Sequence, residues 1–226
     1  MQGSKKTLED APEIVQLLQE ALRGRFPCAE KLVGKPLFSR MIKQFLSGTA
    51  KAPRLNKALI SQFIEFVSTY PSMSNYPQVE NIILFEDALQ TIQEGPDNAP
   101  LDYVNMARAI TESTEKIVFH PPKGSILLSV DFPIIDIMSA LMDNKSLNHQ
   151  KFQKPRQYRV LIWKEEDTCR YEYLKNDEFL LLNMLQAPRP FITIYGQYLE
   201  KNTRTNIDEL LPELCKKGYI NHYSLP

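Results

Sequence analysis

Lys116–Leu141, KIVFHPPKGSILLSVDFPIIDIMSAL, is where the character of the chain changes. Two apolar runs, EKIVFH and SILLSV, read as strands. Pro121-Pro122-Lys123-Gly124 between them reads as a turn, or as a bend within one ribbon. FPIIDIMSALMDN then restores a helical period, with Pro133 in its first turn. His120 is one of three histidines in 226 residues and stands where the first strand ends. It marks either the rim of a site or the punctuation of a fold.

Upstream, apolar residues recur at helical spacing. Thr7–Asp10 resembles a capping box, and Ile14, Leu17, Leu18 and Leu22 follow it as a stripe. Gly24 and Pro27 break that helix; Pro27 suits the first turn of the next, which Gly34 ends. KPLFSRMIKQFL, NKALISQFIEFVSTY and PQVENIILFEDALQTI each carry one apolar face, and Gly95-Pro96 stops the last. PLDYVNMARAI makes a shorter helix. These stripes are core and call for no ligand.

Downstream, DNKSLNHQKFQKP is polar and reads as a loop. YRVLIW and CRYEYL alternate around KEEDT, the pattern of a β-hairpin. Three short helices follow, at about Asp177–Gln186, Phe191–Lys201 and Ile207–Lys217, then the apolar piece YINHYSL. The expected fold is α+β: an all-helical N-terminal domain, residues 1–110, followed by a smaller α+β domain, residues 111–226. The second domain holds the hairpin sheet and a winged-helix-like C-terminal end.

Composition narrows the function. Hydrophobic residues make up 43% and charged residues 24%, enough apolar material for a core in a soluble globular protein. No apolar run approaches the ~20 residues of a membrane span, so no membrane role is expected. MQGSKKTLED lacks a signal-peptide core, and three distant cysteines, Cys28, Cys169 and Cys215, suit reduced thiols. The expected location is the cytoplasm. His120, His149 and His222 have no metal-ligand spacing, there is no phosphate-binding glycine loop, and no G-x-S-x-G elbow is present. The chain is therefore expected to be no enzyme and to carry no cofactor or metal. Glu86, in LFEDAL beside Phe85 and Leu89, stands out as a carboxylate that must find a partner if it is buried.

Nucleic acid is the rival reading. Net charge is zero, yet residues 1–60 hold eleven Lys/Arg against five Asp/Glu, while residues 61–115 hold one Arg against nine acids. Arg23, Arg25, Lys31, Lys35, Arg40 and Lys43 could follow a phosphate backbone. The three C-terminal helices follow a winged-helix plan. Their third helix, NIDELLPELCKK, opposes that use: Asp208, Glu209 and Glu213 would repel phosphates, and Pro212 would kink or split it. Nucleic acid is not the expected partner.

Four stretches taken in order resemble the HvfC/BufC family, long labelled a DNA-binding domain. They are ALRGRFPCAEKLVG (Ala21–Gly34), YPSMSNYPQVENIILFEDAL (Tyr70–Leu89), FHPPKGSILLSVDFPIIDI (Phe119–Ile137) and VLIWKEEDTCRYEYL (Val160–Leu174). Phe26-Pro27, Leu32, Gly34, Glu86, Ala88, His120-Pro121, Phe132-Pro133 and the Trp163 hairpin carry the match. The N-terminal LEDAPEIVQLLQ, Pro122 and Ile137-Met138 depart from the family's pattern. The resemblance covers roughly residues 20–190 and implies a helical domain followed by an α+β domain. It also implies a partner: a TIM-barrel multinuclear-iron enzyme that modifies cysteines of a ribosomally made precursor peptide, distantly like the methanobactin-biosynthesis pair. The iron ligands would belong to that enzyme, and His120 would be a hydrogen-bonded fold or interface residue.

The functional expectation is a non-catalytic accessory subunit that docks the precursor peptide. An extended peptide could add to a free edge of the hairpin as a further strand. Val160, Ile162, Trp163, Tyr171 and Tyr173 would form that surface, with His120 and Glu86 as further partner-binding candidates. Alternation alone does not show which hairpin strand is the edge.

Overall fold

The computed structural model describes residues 12–49, 55–99, 101–113, 115–145, 155–201 and 203–225. The Thr7–Asp10 capping box and most of the polar loop, including His149, lie outside them. Among the described residues, ten α-helices and two small antiparallel sheets make an α+β fold. The chain divides into two compact units, Met1–Gln90 with Asp131–Arg156, and Thr91–Val130 with Gln157–Pro226. The expected domains were continuous halves meeting at residue 110. The units instead exchange segments: residues 91–110 belong to the second and 131–156 to the first.

The first unit is helical. It comprises α1 (Pro12–Arg25), α2 (Pro27–Val33), α3 (Lys35–Ser47), α4 (Lys57–Thr69), the greater part of α5 (Val79–Gln93), and α7 (Ile134–Met142). Pro27 opens α2, and Gly34, at φ +87°, both ends α2 and starts α3. A side chain with a Cβ is strained at that φ, so glycine suits this corner. Asn56 caps α4 by accepting from the Leu59 N–H at 2.9 Å. Phe63 of α4 is fully buried and lies 5.6, 6.1 and 5.2 Å, ring to ring, from Phe26, Phe38 and Phe45. In α1 only Leu18 and Leu22 of the expected stripe are buried; Ile14 and Leu17 are exposed. α7 begins after Pro133, which is its N-cap and not part of its first turn.

The second unit holds α6 (Tyr103–Ser113), β1 (Val118–His120), β2 (Ile126–Val130), β3 (Tyr158–Glu165), β4 (Thr168–Tyr173), α8 (Asn176–Leu185), α9 (Phe191–Leu199), α10 (Ile207–Lys216) and β5 (His222–Ser224). The hairpin forms as expected, with a two-residue turn at Glu166-Asp167. Both turn residues have positive φ, 46° and 62°, which matches the right-handed twist of the strands they join. β2 is not the hairpin partner of β1. It pairs antiparallel with β3, while β1 pairs with β5, so residues 121–125 carry the chain from one sheet to the other. Leu161 and Trp163 of β3 join Leu181, Leu182, Ile194, Leu210 and Leu214 in one core. α10 runs unbroken through Pro212, which neither splits nor ends it.

Candidate functional site

Strand parity fixes what the three-stranded sheet, in the order β2-β3-β4, offers along its sides. The Leu174 N–H donates to the Arg159 carbonyl at 2.8 Å, which makes 159–174 a hydrogen-bonded pair. Such pairs alternate in an antiparallel ladder, so Leu161, Trp163 and Glu165 also turn their backbone groups to β4. Val160 and Ile162 then turn theirs to β2, opposite Leu128 and Ile126. The same alternation directs the backbone groups of Leu127 and Ser129 outward from β2, and those of Cys169, Tyr171 and Tyr173 outward from β4.

This geometry sorts the hairpin candidates. Val160 and Ile162 are fully buried on the central strand, and Trp163 is buried with its ring 5.3 Å from Tyr219. None of the three lies on an edge, so none can form a docking pocket there. Tyr171 and Tyr173 do lie on an edge strand, Tyr171 exposed and Tyr173 half-buried with its ring 5.6 Å from Tyr158. The two edges differ in chemistry. β4 alternates charges, Arg170 and Glu172, and Arg170 pairs with Glu165 at 3.1 Å. β2, Ile-Leu-Leu-Ser-Val, has no charge and no proline, and four of its five residues are not buried. Charges and prolines are what ordinarily protect an edge strand from pairing. The residues of β2 mark it as a strand but carry no signal for its edge position, because its pairing with β3 depends on a partner about thirty residues on.

The remaining candidates are not part of this edge strand. His120 bridges β1 and β5: its Nε2 is 3.0 Å from the Ser224 Oγ, and its ring is 5.4 Å from that of His222. Burial, and secondarily the neighbouring His222, pushes its pKa below the ordinary histidine value. Glu86 is buried in the helical unit, where its carboxylate accepts from the backbone N–H groups of Cys28 at 2.7 Å and Ala29 at 3.2 Å. These are the orphan donors of the first turn of α2, so Glu86 caps that helix from α5. Burial raises its pKa to about 7, against the pull of the two backbone bonds.

Of the six basic residues weighed for nucleic acid, three are engaged within the helical unit. Arg23 pairs with Glu30 and Arg25 with Asp87, each at 2.6 Å, and the Lys31 Nζ donates to the Leu141 carbonyl at 3.1 Å. Lys35, Arg40 and Lys43 are exposed on α3. In α10, Asp208 and Glu209 occupy the first turn. Among the described residues no group of three His, Cys, Asp or Glu is placed to hold a metal ion, and no helix is long and apolar enough to cross a membrane. No known protein-family model matches the chain, and no curated protein is significantly similar to it.

Proposed function

We propose that this chain is a non-catalytic accessory subunit that captures an extended precursor peptide by strand addition and presents it to a separate modifying enzyme. The observation that carries this reading is the open sheet, whose edge strand β2 is apolar, incompletely buried and free of charge and proline. A strand of that kind is a template for another chain. A peptide laid against Leu127 and Ser129 gains main-chain hydrogen bonds whatever its sequence, while side chains at alternate positions supply selectivity. The docking surface is thus β2, in place of the hairpin strands expected from alternation.

The nature of the enzyme rests on the resemblance of the four motif stretches to the HvfC/BufC family. It supports a TIM-barrel multinuclear-iron partner acting on cysteines of the peptide. Nucleic acid is the weaker reading, because Arg23 and Arg25 are already ion-paired, Lys31 donates to a backbone carbonyl, and the third C-terminal helix opens with acids.

Co-expression of the chain with a TIM-barrel multinuclear-iron enzyme and a Cys-bearing precursor peptide tests the proposal. Affinity purification of the chain is expected to retain both. Recovery of neither, together with full peptide modification by the enzyme alone, would overturn it.

A further inference from the structure

The second unit contains a concave site whose lining flanks the hairpin and reaches the segment between α9 and α10. A cavity of about 640 Å³ opens between the start of β3, the start of α8 and the segment joining α9 to α10. Among the described residues four cations line it: Arg159, Lys175, Lys201 and Arg204. Among the described residues of the lining the single carboxylate is Asp177, and its Oδ2 already accepts from the backbone N–H groups of Arg204 at 3.0 Å and Thr205 at 2.9 Å. The lining therefore carries a formal excess of three positive charges.

These cations are poorly neutralised from within. Among the described residues Arg159 donates only to neutral amide oxygens, those of Asn176 and of Gln157, and it lies over the Phe179 ring at 5.2 Å. Its Nε is buried and has no hydrogen-bond partner among the described residues. A buried, unpaired donor of this kind costs free energy unless something satisfies it. Lys175 stands 3.9 Å from Glu213, a long contact, and no ion pair is made by Lys201 or Arg204 among the described residues. The start of α8 adds its own partial positive charge, and the Glu178 carboxylate of that first turn is taken up by the Lys175 N–H and by Lys217, both at 2.7 Å. Like charges gathered around a concavity focus the field on its interior, which draws in an anion.

We propose that this pocket binds a small ligand bearing more than one phosphate group. A guanidinium fork matches two oxygens of a phosphate, and the remaining tetrahedral oxygens can face cations on other walls. A carboxylate offers two oxygens in one plane and leaves those cations unmet. Leu180 is the one apolar residue among those described in the lining, so recognition runs through charge and not through an aromatic or acyl group. The volume lies within the ordinary range for small-molecule sites and admits a pyrophosphate with its first hydration shell. The described lining includes no residue of β2, although Arg159 lies opposite Ser129 in the ladder, and the proposal does not depend on the peptide-capture reading.

Isothermal titration of the full chain with inorganic pyrophosphate tests this, with citrate and a single-stranded oligonucleotide as comparison ligands. Saturable one-site binding is expected, weaker at higher salt, and reduced about tenfold or more by Arg159→Gln and by the double variant K201Q/R204Q. Because Arg159 also packs on Phe179, the double variant, whose side chains are exposed, separates lost binding from lost folding. Lys43→Gln, on α3, is expected to leave binding unchanged. Absence of saturable binding up to ~10 mM pyrophosphate, or unchanged affinity in K201Q/R204Q, overturns the proposal. Citrate binding as tightly as pyrophosphate overturns the phosphate assignment, and so does an oligonucleotide that binds more tightly and loses affinity in the same variants.

Discussion

The Glu86 carboxylate accepts the Cys28 backbone N–H at 2.7 Å, joining α5 to the first turn of α2 across 58 residues of chain. It is a helix cap supplied from another helix. Its pKa, raised by burial from 4.5 to about 7, means that the folded chain holds this proton more tightly than the unfolded chain does. Between those values the unfolded state binds fewer protons, so stability falls as pH rises from about 4.5 to about 7. The loss from this one group is on the order of 3 kcal/mol. Glu86→Gln is expected to flatten that slope, and Glu86→Ala to cost about 2–4 kcal/mol by leaving two buried N–H groups unpaired. Urea unfolding across pH 4–8, followed for wild type and both variants, checks this.

His120 is expected to respond to pH in the opposite direction. Its folded pKa lies below 6.5, so the unfolded state takes up the proton first as pH falls. The contribution of this histidine is fully present above 6.5 and is lost as pH drops through the folded value. His222→Gln removes the lesser cause and leaves burial, so it should raise the His120 midpoint only in part. A nuclear magnetic resonance titration of the His120 ring in both proteins reads the two midpoints; a wild-type midpoint above 6.5 would contradict the account.

The hairpin turn is sterically expensive. Glu166 and Asp167 both sit at positive φ, where glycine and asparagine are favoured over residues with longer side chains. Glu166→Asn should stabilise the second unit by about 0.5–1 kcal/mol. The Lys164 pairs with Asp97 at 2.7 Å and with Asp167 at 3.5 Å hold the turn in place and are untouched by that change. Thermal unfolding of the variant measures the gain; a lower midpoint would refute it.

The helices were legible because their burial is periodic: Phe63 or Ile137 can be placed on a core face from neighbours three and four residues away. The hairpin was legible for the same local reason, although its Glu-Asp turn lacks the usual asparagine and glycine. Pairing across long separations was not. β1 meets β5 about a hundred residues later through three residues a side, and nothing in FHPPKGSILL distinguishes a hairpin from a change of sheet. Glu86 was conspicuous as an acid among apolar residues, yet its partner is a backbone N–H, which no side-chain pattern encodes. Val160 alternates as an edge residue would, and only the pairing of β2 with β3 places it at the centre of the sheet. The basic pocket draws on segments around residues 159, 175 and 201–205, each unremarkable alone.

The measurement closest to the central claim is peptide capture by proline variants of the sheet. Ser129 is exposed and its N–H points away from β3, so Ser129→Pro removes a donor to an added strand without breaking the native ladder. It should leave circular dichroism unchanged and weaken binding of the labelled precursor peptide, read by fluorescence anisotropy, by about tenfold. Tyr171→Pro on the opposite edge should leave capture unchanged, whereas Val160→Pro on the central strand should unfold the second unit. Undiminished capture by a well-folded Ser129→Pro variant would contradict strand addition at β2.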